Sequence, residues 1–76
     1  MNALAFIEKH GREAATAVAE AAGSNFAYFS QIAHGHRRPS VDLAEKLVTA
    51  SAEKFPNAED QLDFVSLMKS KAKAAA

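Results

Sequence analysis

The chain has 76 residues and close to half of them are apolar, which predicts one small globular domain rather than a disordered segment. It contains no cysteine, so a disulfide framework and a thiolate metal site are excluded, and a reducing compartment fits. Nine Lys and Arg balance nine Asp and Glu, but the balance is not local: no acid lies between Glu20 and Asp42, where His34, His36, Arg37 and Arg38 fall, and acids gather later at Glu53, Glu59, Asp60 and Asp63.

No apolar run approaches the roughly 20 residues a membrane span needs. The opening MNALAFIEKHG lacks the basic start and long apolar stretch of a signal peptide, so neither a membrane partner nor export is expected.

No alternating pattern marks a strand, and the chain reads as all-α with five short helices. The first covers about 3–10, with Leu4 and Ile7 on one face and Gly11 ending it. The second, about 12–22, is nearly all alanine with Val18 as its larger apolar residue; its small side chains allow another helix to approach closely, and Gly23 stops it. Asn25 caps a third helix, about 26–34, in which Phe29 and Ile32 share a core-facing side. Gly35 ends that helix, and Pro39 keeps Arg38 from continuing it.

Ser40 caps a fourth helix, about 41–52, with Val41, Ala44, Leu47 and Val48 as its apolar stripe. After the break at KFPN, Asn57 caps a fifth, about 57–73. Its first turn holds Glu59 and Asp60 and its far end Lys69, Lys71 and Lys73, both suited to the helix dipole. The Ala-rich tail after Met68 is expected to fray.

The second and third helices, separated by Gly23, Ser24 and Asn25, make a helix-turn-helix pattern over about 12–34. The run Gly23, Asn25, Phe29, Ser30, Ile32, Gly35, Arg37, Pro39, Ser40, with Val18 and Ala19 before it, resembles the phage Cro and repressor family. The likeness extends over about 12–52. The chain departs from the family's pattern at Ala15, Ser24 and Ala33. The resemblance implies a lambda-repressor-like fold over 1–76 and a sequence-specific regulator of phage or prophage type in the bacterial cytoplasm, associated with the nucleoid. Such a protein represses transcription by binding double-stranded DNA as a homodimer on a near-palindromic operator.

On that resemblance the third helix enters the major groove. Phe26, Ala27, Ser30 and Gln31 are its candidate base contacts: Gln31 as a bidentate partner of adenine, Ser30 as donor or acceptor, Phe26 and Ala27 against a thymine methyl. Phe26 alternatively packs on a neighbouring helix, and Gln31 alternatively stands solvated. Asn25, Tyr28, His36, Arg37, Arg38 and Ser40 are candidate phosphate contacts, which fix register without reading sequence. Tyr28 can equally be a partly buried core residue, and the arginines a solvated loop.

Leu62, Phe64, Val65, Met68 and Ala72 spread over a wide apolar arc, with Leu67 to its side, more than one small core requires; Phe64, Leu67 and Met68 are the candidate dimer contacts, and the alternative is that all of this surface covers the domain's own core. His34 and His36 lack further ligands nearby, so no metal is expected, nor any cofactor or small-molecule ligand. No nucleophile, base and orienting group come together, so the chain does not read as an enzyme. A protein-interaction module, an antitoxin or adaptor on the same scaffold, is the alternative to a DNA-binding regulator.

Overall fold

A computed structural model describes residues 1–69. Among them every regular element is helical: α1 (Ala3–Ala21), α2 (Phe26–Ala33), α3 (Val41–Lys54), a 3-10 turn (Ala58–Asp60) and α4 (Phe64–Met68). Four α-helices thus stand where five were expected, and the differences lie at the two ends of the chain.

At the first end, α1 is one span with a break inside it. Gly11 takes φ 92° and ψ 168°, outside the helical region, so 3–10 and 12–21 are two helical pieces joined without a loop. An L side chain would be strained at that φ. Asn2 opens α1, its side chain accepting from the Ala5 N–H at 2.8 Å. The first piece buries Ala3 and Phe6, whereas Leu4 and Ile7, the expected face, are only partly covered.

Phe6 is the hub of an aromatic cluster. Its ring meets Phe29 edge-on at 6.2 Å, Phe55 at 5.6 Å and His10 at 4.6 Å. The second piece buries Ala15, Val18 and Ala19, small enough to let its neighbours close on it.

The turn into α2 closes with two backbone bonds, Ser24 N–H to Ala19 O at 2.8 Å and Gly23 N–H to Glu20 O at 3.0 Å, which satisfy the last carbonyls of α1. Phe29 and Ile32 bury the inner side of α2 as expected. Pro39 is buried after it, and Ser40 caps α3 by accepting from the Leu43 N–H. Ala44, Leu47, Ala50 and Ser51 form the buried stripe of α3. Val41, expected there, is 54% exposed, because it sits in the first turn before the helix reaches its neighbours.

The expected fifth helix is replaced by the 3-10 turn, an extended stretch and the short α4. Gln61 and Asp63 are extended because their backbone is tied elsewhere. The Met1 amine donates to Gln61 O at 3.1 Å, and the Asp63 N–H donates to Met1 O at 3.0 Å. The buried Ser51 hydroxyl accepts from the Leu62 N–H at 2.9 Å while donating to Val48 O. Leu62 and Leu67, both buried, are five residues apart, a spacing of roughly 140° that no single helix face can serve.

Asp63 rather than Asn57 caps the last helix, accepting from both the N–H and the hydroxyl of Ser66. Lys71, Lys73 and the tail expected to fray lie outside the described residues.

Candidate nucleic-acid interface

Helix α2 presents one outward stripe. Ala27, Gln31 and His34 are exposed and follow the i, i+4, i+7 spacing of a single helix face, with Ser30 half-covered beside them. Phe26 and Tyr28 flank Ala27 by about 100° on either side. Both rings are partly buried against the core, and each carries an arginine. The Arg12 guanidinium lies 4.5 Å from the centre of the Phe26 ring, and that of Arg37 lies 5.2 Å from the Tyr28 ring. Stacking of this kind is electrostatic and leaves the in-plane N–H groups able to donate.

The exposed stripe is therefore bordered on both sides by a positioned cation.

The loop after α2 doubles back toward it. His36 N–H donates to Gln31 O at 2.8 Å and Gly35 N–H to Ile32 O at 3.2 Å, and Arg37 N–H also reaches Gln31 O, at 3.3 Å. Gly35 sits at φ 81°, the left-handed conformation that this helix ending requires and that glycine adopts without penalty. The result places the Arg37 side chain beside Gln31, and its Nε–H donates to Gln31 Oε1 at 2.6 Å.

Several expected site residues take different places. Phe26 adopts the packing alternative: it is half-buried beneath Arg12, to one side of the outward stripe. Tyr28 is partly buried against the core, as its core reading expects, and Arg37 lies over its ring. The side-chain oxygen of Asn25 is engaged as the cap of α2, accepting from Tyr28 N–H at 2.8 Å, and Ser40 does the same for α3. Of the remaining expected phosphate contacts, His36 and Arg38 are exposed in the loop with Arg37.

Leu67 is not a surface residue. It is 0% exposed, held inside by the turn of α4 against the core, while Val65 stands out at 57% exposure; Phe64 and Met68 are half-buried.

His34, weighed in the sequence only as a metal ligand, and Arg12 were not among the expected contacts. His34 was visible in principle, since it completes the 27, 31, 34 spacing. Arg12 was not, because its contact with Phe26 joins two elements across the turn and leaves no local pattern.

Among the described residues no cluster of three or more His, Asp or Glu side chains is arranged to hold a metal, and no helix is long and apolar enough to cross a membrane. No protein-family model, curated protein or solved structure matches this chain.

Proposed function

We propose that this chain is a helix-turn-helix regulator of phage Cro type that binds double-stranded DNA, with α2 as the helix that enters the major groove. The observation that carries the reading is the outward stripe Ala27, Gln31, His34 set between two arginines stacked on Phe26 and Tyr28. A helix lying in the major groove has a phosphate backbone on each side, in a groove about 12 Å wide. Cations on both flanks of a small, polar stripe suit that environment. The acid-free run from 21 to 41 removes the repulsion that the chain's carboxylates would otherwise bring to it.

In this reading the turn 22–25 joins the two helices of the motif. Arg12, Arg37 and Arg38 meet phosphates and Gln31 meets a base edge. Two copies act together as a repressor on a near-palindromic site in the bacterial cytoplasm.

The test is a titration of duplex DNA over a range of salt concentrations. Counterion release gives a log–log slope of about −0.9 per phosphate neutralised. Three arginines that each meet a phosphate therefore contribute a slope of roughly −2.7 per copy. A protein that binds no duplex at low salt would be the interaction module instead.

A further inference from the structure

Arg37 and Arg38 are neighbours in one loop and both are exposed, but they are held differently. The Arg37 guanidinium lies 5.2 Å from the centre of the Tyr28 ring, within the roughly 6 Å over which an aromatic face attracts a cation. Its Nε–H donates to Gln31 Oε1 at 2.6 Å. Its backbone is tied as well, since the N–H groups of His36 and Arg37 both reach Gln31 O. The Arg38 side chain makes no hydrogen bond, ion pair or ring contact among the described residues.

Tyr28 can fix another side chain because it is itself fixed. Its ring packs on the core, and its backbone N–H donates to the Asn25 cap. It precedes Gln31 by three residues, so the ring and the amide that meet Arg37 are neighbours on one helix. A free arginine loses rotamer freedom when it meets a phosphate, and one already held loses less. Only the Nε–H of Arg37 is used within the chain. The N–H groups of Nη1 and Nη2 remain, and they can donate side by side to one phosphate.

We propose that Tyr28 is a positioning residue of the duplex contact: its ring sets the Arg37 guanidinium for a phosphate in advance, and its hydroxyl is not itself the contact. This rests on the duplex-binding reading above. Gln31 supplies a second hold, and the other lone pair of its amide oxygen stays open to a base edge. Arg38 meets its phosphate without such preparation.

The experiment is a double-mutant cycle on Tyr28 and Arg37, read by titration of duplex DNA at several salt concentrations. Tyr28→Leu should weaken binding by about two- to fivefold, the range of an exposed cation–π contact. The salt slope should stay unchanged, because the phosphate contact still forms. Tyr28→Phe keeps the ring and should bind like the parent. In an Arg37→Ala background, Tyr28→Leu should have no further effect. Circular dichroism confirms that each variant is folded at the titration temperature. A second measurement needs neither DNA nor a variant: nitrogen relaxation by NMR in the unbound parent should show the Arg37 Nε–H more ordered than that of Arg38.

The role is overturned if Tyr28→Leu binds like the parent, or if Tyr28→Phe loses as much as Tyr28→Leu, which would make the hydroxyl the contact. It is overturned equally if the loss persists in the Arg37→Ala background, which would make it a matter of core packing, or if the Arg37 Nε–H is as mobile as that of Arg38. A parent protein without salt-dependent duplex binding removes the underlying function, and this role with it.

Discussion

Arg12 lies on the Phe26 ring at 4.5 Å, and this contact sets a support role for Phe26 against the base-reading one. A ring that reads a thymine methyl and a ring that supports an arginine respond differently to mutation. If Phe26 is a support, Arg12→Ala weakens every duplex alike and lowers the salt slope by about 0.9. Phe26→Leu then reproduces part of that loss, on the scale of an exposed cation–π contact of about 0.5–1 kcal/mol. The double variant should bind no more weakly than Arg12→Ala alone. A double-mutant cycle in which the two losses simply add, or a Phe26→Leu effect confined to one base position, would return Phe26 to base reading. Phe29 is a different case, because it is 1% exposed and braced edge-on against Phe6. Truncating such a ring costs about 3–5 kcal/mol, against a total of about 4–11 kcal/mol for a domain of this size. Phe29→Ala should therefore lose a large share of that stability and melt well below the parent. A thermal melt that overlays the parent's would contradict its place in the core.

At the scale of elements, what was legible was local. Asn25 and Ser40 cap the helices they were expected to cap, because a side chain that accepts from the N–H three residues on needs only its own turn. Gly11, Gly23 and Gly35 mark breaks because the chain takes positive φ at all three. The α2 core side was readable from Phe29 and Ile32, and so were Gln31 and Arg37 as exposed polar residues. Their mutual bond was not, since it depends on how the loop folds back. The C-terminal segment misled for the same reason. Its charges suit a helix, but bonds with Met1 and Ser51 hold 61–63 extended, and those partners are 60 and 11 residues away in sequence. This changes the test of dimerisation. Leu67→Lys would place a charge where no surface exists and should unfold the domain. Val65→Lys alters the exposed side of α4 between the half-buried Phe64 and Met68. It should leave the melt unchanged while weakening binding to a two-half-site duplex more than to a single half-site. Equal effects on both duplexes would remove α4 from the dimer contact.

For the whole molecule, the acids and bases are sorted to different jobs. The basic stretch after Gly23 serves the outward face of α2, while two carboxylates fasten the C-terminal segment. Asp60 holds Lys9 at 2.6 Å, and its carbonyl accepts from His10 Nε2, whose ring stacks on Phe55 at 4.0 Å. Asp63 caps α4. The Lys9 ammonium lowers the Asp60 carboxyl below its ordinary value, and the Ser66 hydroxyl and N–H lower that of Asp63. A carboxyl that releases its proton more readily in the folded than in the unfolded chain adds stability that is fully present above its unfolded pKa and lost as pH falls through its folded one. The unfolded value is about 3.9, so the loss should begin below about pH 5 and be complete only once the medium is more acid than both lowered values. Asp63 is exposed, and Asp60, its side chain 21% exposed, pairs with a Lys9 that is 51% exposed, so the effect is modest, as it is for surface ion pairs in general. It is also local: residues 57–69 should loosen first, and amide exchange at Leu62, Ser66 and Leu67 should accelerate before that of Phe29 or Leu47. Asp60→Asn combined with Asp63→Ala should lower the melting temperature near pH 7 and flatten its fall below pH 5, with the two curves converging in strong acid. A double variant whose melting temperature runs parallel to the parent's through the whole acid range would show that these carboxylates do not fasten the segment.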